Sequence, residues 1–211
     1  MNILIAFYSR TGNVARLAEA VAQGARQTDG ADIKLRRLDD LAPEEVIERD
    51  ERWWRSREDQ HARYPEPTLE DLEWADAIIF GTPTRYGNMS AELKLFIDKT
   101  GPLWVQGKLV NKVGAAFTST ATLHGGNEMT LHTIFIPMMH LGMIVVTPGY
   151  ADPAMFAAGS PYGASSVSGP NADQSPTEAD LAAARFLGHR VAAVTAALQR
   201  GGIGVGMSVH G

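Results

Sequence analysis

The chain has 211 residues, a formal net charge of -5 and a hydrophobic share of 45%, which together predict a single globular domain with a full core. It has no cysteine, which excludes disulfides, thiolate metal sites and cysteine nucleophiles, and no run of Lys and Arg that would suit a nucleic acid. The N-terminal apolar run lacks a basic leader, and no segment approaches the roughly 18 apolar residues of a membrane span. We therefore expect a cytoplasmic protein without membrane insertion.

Short apolar runs alternate with segments of helical period, and this alternation predicts βαβ units and a doubly wound parallel sheet. The predicted strands are residues 3–8, 32–38, 77–81, 113–117 and 143–146. The predicted helices are residues 14–25, 44–60, 91–100, 128–140 and 176–199. The second strand alternates apolar with charged residues, so we expect it near the sheet edge.

Two segments interrupt this pattern. Residues 43–67 are charged and predict a surface helix, on which the adjacent Trp53 and Trp54 cover a neighbouring element or a second subunit. Residues 147–174 are rich in Gly, Pro, Ser and Ala and predict a long functional loop or an oligomer contact. We expect Pro137 to disturb its helix.

The last predicted helix begins with favourable capping chemistry. Ser175 can cap it, Pro176 suits the first turn, and Glu178 completes a capping box. Residues 1–200 are predicted to form one domain, and residues 201–211 a flexible tail.

The loop after the first strand, Ser9-Arg10-Thr11-Gly12-Asn13, is the strongest candidate for an anion site, because such sheets bind ligands at the carboxyl ends of their strands. Hydroxyl groups, a glycine that allows a tight turn, and the free N–H groups of the following helix suit a phosphate. The loop has neither a Walker ending nor a Gly-x-Gly-x-x-Gly pattern. The alternative is an ordinary capped turn, with Arg10 in solvent or beside a phosphate.

Residues 80–90, Phe-Gly-Thr-Pro-Thr-Arg-Tyr-Gly-Asn-Met-Ser, resemble the signature loop of the WrbA-type NAD(P)H:quinone oxidoreductases, which are flavodoxin-like proteins. Further matches are residues 100–104, Ser119-Thr120 with Gly125-Gly126, His140 with Gly142-Met143, and residues 161–164. The resemblance spans nearly the whole chain in the family's order.

The resemblance implies a flavodoxin-like five-stranded sheet of order 2-1-3-4-5 with insertions, bound FMN, NADH or NADPH as donor, quinone as acceptor and a homotetramer. Hydride would pass from the nicotinamide to the flavin and then to the quinone in two separate steps. The cofactor-binding residues implied are Ser9, Arg10, Thr11, Gly12, Asn13, Val14, Pro83, Thr84, Arg85, Tyr86, Gly87, Ser119, Thr120, Ala121, Thr122 and Gly125. Trp104 and Thr11 would contact the substrates. His140 would act on the quinone, from a neighbouring subunit.

Other interpretations of these residues remain open. Trp104 could pack on the preceding helix, and His140 could be an interface histidine. His124, His132 and His140 lack the spacing of a helical metal pair, so no metal site is predicted. The rival functions are a one-electron carrier of the flavodoxin type and a non-enzymatic regulatory binding protein.

Overall fold

A computed structural model describes residues 1–203. Its strands are β1 (Asn2–Phe7), β2 (Asp32–Arg37), β3 (Ala77–Pro83), β4 (Val113–Thr120), β5 (Ile144–Val145) and β6 (Ala164–Val167). Its helices are α1 (Asn13–Ala25), α2 (Glu44–Glu48), α3 (Glu51–Arg63), α4 (Leu69–Trp74), α5 (Ala91–Asp98), α6 (Gly101–Val105), α7 (Asn127–His140), α8 (Pro153–Ala158) and α9 (Glu178–Arg200). The sequence predicts a flexible tail at residues 201–211, and residues 204–211 of this segment lie outside the described residues.

All strand pairings are parallel, and the sheet has the predicted order β2-β1-β3-β4-β5. Two strands share the position next to β4. β5 pairs with Val113 and Gly114 of β4, and β6 pairs with the last four residues of β4. Among residues 1–203 the sheet therefore has six strands, where five were predicted. The extra strand β6 lies in the segment predicted to be a loop.

The sheet separates two hydrophobic cores. Side chains alternate between the faces of a strand, so Ile5 of β1 joins the core under α1 and α9, while Leu4 joins the core under α4, α5, α6 and α7. β2 pairs with β1 alone and is an edge strand, as its alternation predicted.

Helices α1 and α9 cross in close contact at two glycines. A Cβ atom at Gly24 would lie 1.8 Å from the carbonyl oxygen of Arg185, and one at Gly188 would lie 1.9 Å from that of Val21. By length and composition α9 could cross a membrane, which the sequence reading overlooked. Its packing on α1 explains its apolar side, with Leu187 and Val191 fully buried.

Three local predictions were wrong. The predicted helix at residues 44–60 is divided into α2 and α3, because Asp50 caps α3 by accepting a hydrogen bond from the Trp53 amide. The helix α7 continues through Pro137 to its end at His140, since it packs on β4 through buried residues on both sides of the proline. The capping box of α9 consists of Thr177 and Asp180.

Candidate active site

A cavity of about 370 Å³ opens at the carboxyl ends of β1, β3 and β4. Most of the predicted cofactor-binding residues line it: Ser9, Arg10, Thr11, Asn13, Val14, Pro83, Thr84, Arg85, Ser119, Thr120 and Ala121. Three separate loops thus meet around one space, as the sheet topology predicted.

The loop between β1 and α1 is organised by the hydroxyl of Ser9, which is 1% exposed. Its oxygen accepts hydrogen bonds from the amides of Gly12 and Ala15, each at 3.2 Å, and its own hydrogen stays available for a ligand. The amides of Thr11, Asn13 and Val14 have no acceptor within residues 1–203. Free N–H groups at a helix N-terminus bind anions, so this end of the cavity suits a phosphate.

Gly12 permits the turn that presents these amides. Its φ of 97° lies in the left-handed region that L-residues rarely adopt. The glycine does not itself line the cavity but shapes the backbone of its neighbours.

Arg10 is held at the cavity wall by α3. Its guanidinium lies 3.9 Å from the centre of the Trp53 ring and 3.2 Å from the carboxylate of Asp50. The charge of Arg10 is therefore partly compensated, and its side chain, although 42% exposed, is held against α3.

Trp53 is in turn fixed by a buried polar cluster around Asp40. The carboxylate accepts hydrogen bonds from the Trp53 indole at 2.8 Å, from the Tyr8 hydroxyl at 2.7 Å and from Arg37, whose side chain is fully buried. Burial alone would raise the pKa of Asp40, but these donors, led by Arg37, hold the pKa below its usual value. Burial and the hydrogen bond to Asp40 raise the pKa of Tyr8 well above its usual range.

The same cluster brings together three possible metal ligands, Asp39, Asp40 and His61. Arginine side chains already compensate their charge, because Arg37 lies 3.5 Å from Asp39 and also pairs with Asp40. Arg57 approaches both carboxylates at about 4 Å. This cluster anchors α3 to the sheet and has no need of a cation.

The segment after β6 closes the phosphate end of the cavity. Pairing of β6 with β4 places the Ser166 hydroxyl 2.9 Å from that of Ser119, where it donates a hydrogen bond. The chain then runs over α1, where the side-chain amide of Asn13 donates to the carbonyl of Gln174 at 3.0 Å. We call residues 168–175 the covering loop.

The loop after β3 forms the opposite wall. The Thr84 amide donates to the carbonyl of Ser119 at 2.9 Å, and Arg85 and Asn88 exchange two backbone hydrogen bonds across a tight turn. Tyr86 stands at the tip of this turn with a φ of 54° and a fully exposed ring. A turn held by two hydrogen bonds that exposes an aromatic ring is suited to contact a flat ligand or another chain.

The structure places the remaining predicted residues elsewhere. Tyr86, Gly87, Thr122 and Gly125 belong to the loops that flank the cavity but are not part of its wall. Trp104 and His140 lie together, with ring centres 6.3 Å apart, in a second and largely apolar cavity of about 630 Å³ between α5, α6 and α7. The turn after β3 separates the two cavities, since Arg85 lines the first while Asn88 and Met89 line the second.

Sequence reasoning missed six residues of the cavity wall: Asp50, Arg52, Ser168, Pro170, Asn171 and Ala172. The richness of residues 147–174 in small residues did indicate a functional segment. No sequence signal pointed to Asp50 and Arg52, because the charged helix that carries them has the composition of an ordinary solvent-exposed helix.

Comparison with known proteins agrees with this architecture. A family model described as NADPH-dependent FMN reductase matches residues 2–155. The NAD(P)H dehydrogenase (quinone) of Geotalea uraniireducens (strain Rf4) is 45% identical over 205 residues, which cover 95% of this chain and 100% of that protein. The NAD(P)H dehydrogenase (quinone) of Aromatoleum aromaticum (strain DSM 19018 / LMG 30748 / EbN1) is 43% identical over 206 residues, 95% of this chain and 99% of that protein.

Among solved structures, a flavodoxin, WrbA-like protein from Agrobacterium tumefaciens superposes with a TM-score of 0.64 at 28% identity, covering 93% of this chain and 98% of that one. The family match covers well over half of the chain, and the relatives match it almost end to end. The chain therefore belongs to the NADPH-dependent FMN reductase family.

Proposed function

We propose that the protein is an FMN-dependent NAD(P)H:quinone oxidoreductase that reduces quinones to hydroquinones by two electrons in two separate steps. The observation that carries this proposal is the cavity at the carboxyl ends of β1, β3 and β4, in which the amides of Thr11, Asn13 and Val14 find no acceptor among residues 1–203. The family and the names of the similar proteins supply the choice of reaction.

The residues present fit FMN. The phosphate would lie on the loop from Ser9 to Val14, where free amides and the hydroxyls of Ser9 and Thr11 converge. The flat ring system would lie between the turn after β3 and the end of β4, where Thr84, Arg85 and Ser119 line the cavity. When bound, FMN supplies the hydride chemistry, accepting from the nicotinamide nucleotide and delivering to the quinone.

The protein's own contribution is position and hydrogen bonding. Both substrates would bind in the same place in turn, and because FMN would supply the hydride chemistry, no side chain is required as a nucleophile. His140 would donate a hydrogen bond or proton to an oxygen of the quinone, and Trp104 would wall the space in which the substrates lie.

We infer that this arrangement involves more than one subunit. Trp104 is 53% exposed and, with His140, lines a cavity distinct from the one that fits FMN. We therefore place these two residues at the flavin of a neighbouring subunit in a homotetramer. Burial in such an interface would account for the largely apolar lining of the second cavity.

The test is an absorbance experiment without oxygen on the FMN-loaded protein. In a stopped-flow instrument, addition of NADH or NADPH should bleach the flavin spectrum rapidly and at a measurable rate, and benzoquinone should restore it. A flavin that NADH and NADPH both fail to bleach directly would support a one-electron carrier. A colourless protein that does not bind added FMN would support a non-enzymatic function.

The His140→Ala variant tests the role of the histidine. We expect bleaching by the nucleotide to be unchanged and recovery with benzoquinone to be slower by about 10²–10⁴-fold, the usual contribution of a positioned acid. His189→Ala, on the exposed side of α9, is the matched control. Sedimentation velocity would measure the subunit number in the same samples.

A further inference from the structure

Arg52, the second residue of α3, is a cation at the phosphate end of the cavity that sequence reasoning did not single out. Its guanidinium donates one hydrogen bond, at 2.7 Å, to the carbonyl oxygen of Asn171 in the covering loop. Within residues 1–203 no carboxylate lies within 4.0 Å of it. A guanidinium has five N–H donors, so most of those of Arg52 remain available to a ligand.

The position of Arg52 follows from the packing of α3 on the phosphate loop. A Cβ atom at Gly12 would lie only 3.8 Å from the hydroxyl of Ser56, one turn along α3 from Arg52. The covering loop approaches the same loop from its other side, where Asn13 contacts Gln174. The hydrogen bond from Arg52 to Asn171 therefore joins the two walls beside the loop that presents the free amides.

The charges at this end of the cavity separate the roles of the two arginines. Arg10 is partly compensated by Asp50 and stacked on Trp53, so its position is already determined by protein contacts. Arg52 has an exposed side chain and a backbone carbonyl as its partner, and no carboxylate of the described residues compensates its charge. A phosphate dianion offers oxygens that a guanidinium binds with two parallel hydrogen bonds, which makes it the best partner for such a group.

We propose that Arg52 binds the phosphate of FMN from the side of α3 and, through Asn171, holds the covering loop over it, so that the site selects FMN over unphosphorylated riboflavin. This inference rests on the proposed function, because it assumes that FMN occupies the cavity. The flavin ring and ribityl chain are common to the two ligands, so the difference between them isolates the phosphate.

The experiment compares the dissociation constants of FMN and riboflavin, measured by flavin fluorescence on the apoprotein. Arg52→Ala should weaken FMN binding about 10- to 100-fold, the effect of losing a hydrogen bond to a charged group. Riboflavin binding should change less than about threefold. The FMN dissociation constant of the variant should also rise less steeply with added salt, since one screened charge pair is missing.

Two further variants separate charge from the contact with the covering loop. Arg52→Gln can still donate to the Asn171 carbonyl but carries no charge, and it should lose FMN as Arg52→Ala does. Arg52→Lys keeps the charge without the paired donors and should recover part of the affinity. Arg55→Ala is the matched control, because it removes an arginine of the same helix that points to solvent and pairs with Glu51.

Each other outcome has a defined meaning. Equal losses of FMN and riboflavin in Arg52→Ala, or wild-type FMN affinity in Arg52→Gln, would overturn the inference, because Arg52 would then act only through the covering loop. The same FMN loss in Arg55→Ala would overturn it by showing an effect of net charge alone. Failure of the wild-type protein to bind FMN at all would instead remove the proposed function.

Discussion

Replacement of Ser9 by alanine tests how the phosphate loop is built. The Ser9 hydroxyl is the acceptor for the amides of Gly12 and Ala15, each at 3.2 Å, and the bond to Ala15 is buried. Without the hydroxyl, the Ala15 amide has neither an acceptor nor water, and a buried unsatisfied donor costs about 1–3 kcal/mol. The Gly12 amide lies nearer the cavity and can be hydrated, so we assign no further cost to it.

We expect Ser9→Ala to lower the free energy of unfolding of the apoprotein by about 1–3 kcal/mol, with a fall in Tm of roughly 2–4 °C for each kcal/mol in a domain of this size. FMN affinity should also fall, since a hydroxyl that donates to a charged phosphate contributes about 1.5–3 kcal/mol, or about 10- to 100-fold in Kd.

Urea unfolding of the apoprotein and fluorescence titration with FMN measure the two effects. Ser175→Ala is the control, because it deletes an exposed hydroxyl that contacts Arg16 on the outer side of the same region. A Ser9→Ala protein with wild-type stability and wild-type FMN affinity would refute the role that we assign to this hydroxyl.

Three further substitutions test the scaffold, each by urea denaturation. Gly188→Ala should cost about 1–3 kcal/mol, because its Cβ would lie 1.9 Å from a carbonyl oxygen of α1, whereas Gly201→Ala, with 3.4 Å of space, should be nearly neutral. Asp40→Asn removes the buried carboxylate that pairs with Arg37, leaving it only the partly exposed Asp39 at 3.5 Å, and should cost about 3–5 kcal/mol at pH 7. Because the pKa of Asp40 is lowered in the folded protein, its stabilisation is present above the usual value of 3.8, so the variant's deficit should shrink as the pH falls below 3.8. Burial lowers the pKa of Lys112 from 10.5 in the unfolded chain to about 8 in the folded protein. Between these two pKa values the unfolded chain binds a proton that the folded protein does not, so the contribution of Lys112 to stability rises with pH. Relative to Lys112→Met, the wild-type protein should gain about 2 kcal/mol between pH 8 and pH 10, and a constant difference would contradict the assignment.

The parts of the structure that sequence reasoning recovered are those specified locally. The first strand is a continuous apolar run, and the loop from Ser9 to Asn13 carries its hydroxyls and glycine within five residues. Both features were therefore visible without knowledge of the fold. The sheet order followed from the family resemblance. So did the wall formed by Pro83, Thr84 and Arg85, because the resemblance was based on the loop that contains these residues.

The strand β6 could not be recognised in this way. Its sequence, Ala-Ser-Ser-Val, has little apolar character, and it becomes a strand because the second half of β4 offers an unpaired edge to it. Its burial reflects that partner rather than an intrinsic preference. The cavity residues from Ser168 to Ala172 depend on this pairing and were missed with it.

The start of α9 shows a different limit. Ser175 with Glu178, and Thr177 with Asp180, both match the pattern of a capping box, and the local sequence does not discriminate between them. In the structure Thr177 and Asp180 form the box, and the Ser175 hydroxyl instead accepts a hydrogen bond from Arg16 of α1. Ser175 is thus engaged with a residue 159 positions away, which the local sequence does not reveal.

The edge position shared by β5 and β6 also sets when the protein becomes able to hold its cofactor during biosynthesis. A nascent chain that has emerged only as far as β5 already possesses the phosphate loop and the walls from β3 and β4. It still lacks β6, and with it Ser168, Asn171 and the backbone that lies across α1. Secure retention of the ligand is thereby deferred until the ribosome has delivered the chain beyond Ala172.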